Sequence, residues 1–139
     1  MNDDRAFLDT NILIYIYQGV LDEEQKIGLG NILEDYDCIV STQVLNEFSN
    51  IALKKLKFNA TQIKLSLSEI RTVCRLHKVG YSTVFKALDI QARYGYHYYD
   101  CLMIASALEM GCDILFSEDM ADGQIITSDR NLTIKNPFN

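Results

Sequence analysis

The sequence is short of the residues that break chains and of the residues that build zinc sites. It has a single proline, Pro137, and no Pro- or Ser-rich stretch, so no linker is marked and one domain over residues 1–139 is expected. The four cysteines, Cys38, Cys74, Cys101 and Cys112, form no C-x-x-C pair, and the two histidines, His77 and His97, are not spaced like ligands. At least three of the cysteines sit in strongly apolar sequence, which suits reduced, buried thiols better than a disulfide framework. No apolar run approaches the ~18 residues that would mark a membrane span. The opening Met1-Asn2-Asp3-Asp4-Arg5 is acidic and runs straight into a short apolar segment, unlike a secretory signal. The expectation is a cytoplasmic protein with no membrane partner.

Positive charge is also scarce, with 13 Lys and Arg against 19 Asp and Glu and a net charge of −6, which argues against a generic nucleic-acid binder. The distribution is uneven. Residues 50–93 hold nine basic residues against Glu69 and Asp89, a net of +7, while the rest of the chain carries −13. A basic middle between acidic ends fits a phosphate-binding surface beside an acidic centre. It equally fits a lysine-rich solvated helix face.

What is present is a series of short apolar runs alternating with helical patterns. Residues 6–8 end in the polar Asp9-Thr10-Asn11, and Ile12–Tyr17 opens a helix that Gly19 stops. Residues 22–35 are amphipathic, although Gly28 and Gly30 weaken that helix. Residues 38–40 read as a strand, after which Ser41-Thr42 offers an N-cap to a helix carrying Val44, Leu45, Phe48, Ile51 and Ala52. A helical pattern fills 60–77, with Thr61 as its cap, and another follows Ser82-Thr83 to Gly95. Residues 98–110 are almost wholly apolar and stop at Gly111, as a buried helix would. Residues 113–117 read as a strand, and 125–127 and 132–134 as edge strands. Short apolar strands between helices point to an α/β fold. Its expected form is a three-layer α/β/α sandwich on a mainly parallel sheet of about five strands.

In such a sheet, ligands bind beyond the carboxyl ends of the strands. Asp9 follows the first strand and Asp119 the strand at 114–116; Glu47 and Asp100 lie near the starts of two helices. Each acid has an ordinary explanation, such as an Asx turn at Asp9 or a helix-dipole partner at Asp100. Their neighbourhoods weigh against it. Asp9 is wedged between apolar runs, and eight uncharged residues follow Asp100. Carboxylates placed this way are costly to bury unpaired, and few basic residues lie near them in sequence. A divalent cation with oxygen preference, Mg2+ or Mn2+, resolves the conflict. With such an ion the natural reaction is phosphodiester hydrolysis.

The same residues carry a family resemblance. Phe7-Leu8-Asp9-Thr10-Asn11-Ile12-Leu13-Ile14-Tyr15 resembles the opening motif of PIN domains. Ser41-Thr42-Gln43-Val44-Leu45-Asn46-Glu47-Phe48 looks like the second motif, Tyr99–Ala107 the third, and Asp113–Met120 the fourth, in the form seen in bacterial VapC-type toxins. Any one of these is weak; four in order, over nearly the whole chain, are specific. The resemblance implies an endoribonuclease using Mg2+ or Mn2+, with Asp9, Glu47, Asp100 and Asp119 as metal ligands and catalytic acids. Thr10, Asn11 and Ser117 would support them by hydrogen bonds. It also implies a toxin with a cognate antitoxin, and a homodimer. Many PIN domains carry a further acid two residues beyond the fourth. Here that place is Ala121, and Asp122 is the candidate if a fifth carboxylate takes part. Lys54, Lys55 and Lys57 then become candidates for RNA phosphate contacts. Tyr94, Tyr96, Tyr98 and Tyr99 suit base stacking, core packing or a dimer interface.

Two other readings compete. One is a PIN-like scaffold that binds without cutting. The other is a magnesium-dependent phosphohydrolase with Asp9 as nucleophile, which Asn11 disfavours because haloacid-dehalogenase-like enzymes place a second acid there.

Overall fold

The computed structural model describes residues 4–139. The reading of the acidic start as something other than a signal segment falls on Met1–Asp3, outside the described residues. In chain order the elements are β1 (Arg5–Leu8), α1 (Thr10–Gln18), α2 (Glu23–Asp35), β2 (Asp37–Ser41), α3 (Thr42–Lys54), α4 (Ala60–Val73), β3 (Cys74–His77), α5 (Tyr81–Tyr94), α6 (Tyr98–Glu109), β4 (Ile114–Phe116), β5 (Ile125–Thr127) and β6 (Asn131–Lys135). The strands form one sheet in the order β3-β2-β1-β4-β6-β5, with helices on both faces. Five strands run parallel, and β5 is antiparallel at the edge. β1 and β2 are uninterrupted apolar segments because the central strands are covered on both sides; Ala6, Phe7, Ile39, Val40 and Leu115 are fully buried.

Four details differ from the sequence-based expectation. The helical pattern at 60–77 breaks at Val73, and Cys74–His77 forms the outer strand β3, whose Cys74 lies beside Cys38 of β2. No glycine or proline separates helix from strand here, and the apolar residues 73, 74 and 76 suit either period. The cap of α4 is Asn59, locked by a reciprocal pair with Gln62, and not Thr61. α5 starts at Tyr81, so Thr83 lies inside its first turn and accepts from the Gly80 N–H. β6, expected at an edge, is interior because β5 covers it. The helix with two glycines forms after all: Asp22 and Gln25 make a reciprocal cap, and Leu29 and Ile32 are buried.

All four cysteines are free and buried. Burial pushes the thiols of Cys38, Cys74 and Cys112 up to about 12, so they are inert packing groups. Among the described residues no helix is long and apolar enough to cross a membrane.

β2 delivers the chain to α3 through Ser41, a buried residue with extended backbone whose Oγ accepts from the Val44 N–H at 3.2 Å. Ser41→Ala is expected to lower stability by about 1 kcal/mol, read from urea unfolding midpoints at constant slope.

Candidate active site

The chain builds β2 and β3 on one side of β1, then returns to place β4 on the other side. The crevice at such a reversal opens beyond the carboxyl ends of the two middle strands. In the β1–β4 register Leu8 faces Phe116, so Asp9 and Ser117 leave the sheet side by side. The Asp9 N–H donates to the Phe116 carbonyl at 3.1 Å, which continues the ladder one step past β1.

A cleft of about 310 Å³ sits at this point. It is lined by Asp9, Thr10, Asn11, Glu47, Asn50, Ile51, Asp100, Met103 and Asp119. Four acids thus meet there from four segments: the end of β1, α3, the first turn of α6, and the loop after β4. No lysine, arginine or histidine lines it.

Three neutral side chains fix three of the acids. Ser117 Oγ donates to Asp9 Oδ2 at 2.7 Å in a fully buried contact. Thr10 Oγ1 donates to Glu47 Oε1 at 2.8 Å, and Asn11 Nδ2 to Asp119 Oδ2 at 2.6 Å. The Asp119 N–H reaches back to Ser117 Oγ at 3.3 Å. The stretch Asp9-Thr10-Asn11 therefore supplies one acid and positions two others.

Asp9 is only 5% exposed. Burial raises its carboxyl pKa to about 6; the Ser117 hydrogen bond pulls it down, and the charges of Asp119 and Asp100 push it up again. The Asp100 carboxyl is also raised, first by burial, with His97 lowering it and Asp119 raising it. Like charges in a partly dry cleft hold these groups away from their ordinary ionisation.

Other expected site residues fall elsewhere. Asp122 does not line the cleft: its oxygens accept from the Asn136 N–H at 2.8 Å and Asn139 Nδ2 at 3.3 Å, and these bonds lower its pKa. These contacts make it a clasp on the C-terminal segment. Glu118 is exposed and accepts from the Tyr15 hydroxyl at 2.6 Å. Lys54, Lys55 and Lys57 are all exposed, at and just beyond the end of α3. Lys54 lies seven residues from Glu47, two turns along the same helix face. Of the four tyrosines, Tyr94 and Tyr96 are tied by their hydroxyls to Thr127 and Gln124, while Tyr99 is 63% exposed. His77 pairs with Glu109 at 3.3 Å, away from the cleft. Asn50 and Met103 are cleft residues that the sequence reading passed over. Each stands three residues after an acid on its helix, and that period was the available signal.

The donor set tests well against a hard divalent cation. Every polar atom that lines the cleft is oxygen or amide, and the buried Asp9 has other acids for neighbours and no cation. Among the described residues, no three Asp, Glu, His or Cys side chains are already drawn up as a cation cage. Glu47 and Asp119 each have one carboxylate oxygen engaged, by Thr10 and by Asn11.

The PIN domain profile matches residues 6–133, and the chain belongs to the PIN domain family. Among solved structures it is similar to VapBC2 from Rickettsia felis, bound to a promoter DNA fragment. That match has 16% identity over 95% of this chain and 98% of that one, with a TM-score of 0.65. It is also similar to FitAcB from Neisseria gonorrhoeae, with 16% identity, 96% and 98% coverage and a TM-score of 0.62. A third is VapC20 of Mycobacterium tuberculosis, a sarcin-ricin loop cleaving toxin, with 16% identity, 82% and 89% coverage and a TM-score of 0.61. No curated protein sequence matches the chain. At these identities the structural likeness establishes the fold.

Proposed function

We propose that this protein is a metal-dependent endoribonuclease in which Asp9, Glu47, Asp100 and Asp119 hold Mg2+ or Mn2+. The observation that carries the reading is the meeting of four carboxylates from distant segments in one cleft without a basic residue. When bound, the ion would lower the pKa of a water and offset charge on the phosphate oxygens. The protein's own part is to orient the acids. Ser117 fixes the Asp9 carboxylate, and Thr10 and Asn11 set Glu47 and Asp119. A nucleophilic Asp9, as in a phosphohydrolase, is disfavoured because the residue is 5% exposed and already hydrogen-bonded.

Likeness to VapC20, a toxin, and to VapBC2 supports a wider reading. The protein would be the toxin of a toxin-antitoxin pair: a single cytoplasmic domain, homodimeric, and silenced by a cognate protein. Purified protein incubated with total RNA tests the central claim. Discrete fragments that appear with Mg2+ or Mn2+ and vanish with EDTA are expected. Folded protein that cuts nothing with either ion would move the reading to a non-cutting scaffold.

The exposed Lys54, Lys55 and Lys57 lie at and just past the end of α3, the helix that brings Glu47 to the cleft, and would offer an RNA backbone a path there. Replacing all three with alanine is expected to weaken RNA binding alike for all sequences. The slope of log affinity against log salt should fall by about 2, as for three lost single-strand phosphate contacts. An unchanged slope in a fluorescence-anisotropy titration would place the backbone path elsewhere.

A further inference from the structure

Beside the acidic cleft, and sharing Glu47 with it, lies a second hollow of about 460 Å³. Thr42, Gln43 and Asn46 from the start of α3 form its polar side; Val79, Leu102 and Tyr99 complete it. Tyr99 immediately precedes Asp100, so the two hollows are joined along the chain as well as in space. Gln43 is 8% exposed, and its Nε2 donates to the Tyr99 carbonyl at 2.9 Å, a contact that fixes which end of the amide is nitrogen. Its Oε1 is buried without a partner. An unsatisfied buried acceptor is costly, and an apolar residue would fill the same place in a helix at less expense to stability. The exposed Asn46 amide makes no hydrogen bond to another described residue. The fold accounts for the Gln43 nitrogen, which ties α3 to α6, but not for its oxygen.

We propose that this hollow is a base-selective subsite. On the nuclease reading above, it takes the unstacked base of the nucleotide next to the bond cut in the acidic cleft. It prefers a base with an exocyclic amino group, adenine foremost, over uracil. Tyr99 offers a stacking surface that accepts any base. Selection comes from the amides. Asn46 presents a donor beside an acceptor, which matches the amino group and adjacent ring nitrogen of adenine. Gln43 Oε1 only accepts, and because it is buried the side chain must turn about its hydrogen bond to Tyr99 for the oxygen to meet an amino hydrogen. The amino group of adenine has two hydrogens, one for each amide oxygen, whereas uracil has a single N–H: paired with Asn46 it leaves Gln43 Oε1 facing a carbonyl, and paired with Gln43 it leaves the Asn46 oxygen unmet. Single-stranded RNA is read in this manner, by bases splayed out of the helix and bonded along their edges.

The test uses the full chain labelled with 15N, in EDTA, titrated with adenosine and with uridine. Both nucleosides are uncharged, so the acidic cleft does not repel them. Adenosine is expected to shift the side-chain amide signals of Gln43 and Asn46, with a dissociation constant about tenfold or more below that of uridine. Asn46→Ala should erase that preference. Tyr99→Ala should weaken both nucleosides about tenfold, while Tyr99→Phe, which keeps the ring, should not. Asp9→Asn should leave nucleoside binding unchanged. Equal shifts with uridine, or no shift at these amides, overturn the subsite. The readout needs no catalysis. Adenosine binding in a protein that cuts no RNA would leave the subsite standing and remove the nuclease. Cleavage without nucleoside binding would do the reverse.

Discussion

Asp9→Asn protein is expected to lose metal-dependent RNA cleavage by on the order of a thousandfold or more, equivalent to about 4 kcal/mol in the barrier. The substitution keeps the side chain's size, and the asparagine carbonyl can still accept the Ser117 Oγ–H that Asp9 accepts at 2.7 Å. The loss would therefore report charge and not a collapsed cleft. Glu47→Gln, Asp100→Asn and Asp119→Asn should fall in the same range, because each contributes one carboxylate to the same lining. Ser117→Ala removes only the orienting hydrogen bond and should cost less, about 10–100-fold. Single-turnover cleavage over a manganese titration separates the two kinds of effect. Residual activity within tenfold of wild type in either Asp9→Asn or Asp100→Asn would sink the four-carboxylate assignment.

The same Asp9→Asn change is expected to make the metal-free protein more stable at neutral pH, by about 3 kcal/mol. Burial lifts the Asp9 carboxyl from 3.8 to about 6, against the pull of Ser117. Between those values the folded protein keeps a proton that the unfolded chain has released. Stability is then fully present below about pH 4 and drains away as pH rises through about 6. Asparagine does not titrate, so the variant should lack this part of the slope. A smaller slope of the same sign should persist from Asp100, whose carboxyl is also raised. Urea unfolding in EDTA at pH 4.5 and 7.5 reads the difference. Identical pH slopes for the two proteins would show that Asp9 is not desolvated. Manganese should reverse the order at neutral pH: an ion at a thousand times its dissociation constant adds about 4.1 kcal/mol to the wild type and little to the variant.

Much of this was legible in the sequence because it follows from hydrophobic period and punctuation. β1, β2 and β4 are short apolar runs whose ends are marked by polar turns, and Asp9 and Asp119 stand at those marks. Glu47 was visible in the early turns of a helix with an apolar stripe, and Asp100 at the opening of an almost wholly apolar one. β3 was not legible, because a helix that passes into a strand without glycine or proline leaves no trace in composition. The hydrogen bonds that matter most join residues 108 positions apart, as in Ser117 to Asp9 and Asn11 to Asp119, and no local pattern encodes such pairings. Asp122 was a candidate fifth ligand only as an acid near Ala121, where the family spacing falls; its carboxylate accepts from Asn136 instead. The second hollow was invisible for a similar reason, since Gln43 and Tyr99 meet only through the fold.

The cleft draws its acids from residue 9 at one extreme and residue 119 at the other. On the nuclease reading, then, the chain has no complete site for most of its emergence from the ribosome. Fragments that stop before Asp119 lack both that acid and Ser117, the residue that sets Asp9, so a nuclease of this design cannot attack RNA from a half-made chain. The interval between completing α6 and docking β4 against β1 is a window in which nothing can yet be cut. Because that docking is among the most distant pairings in the sheet, it should also be among the slower steps of folding. A partner that binds as the chain emerges would have that window in which to act.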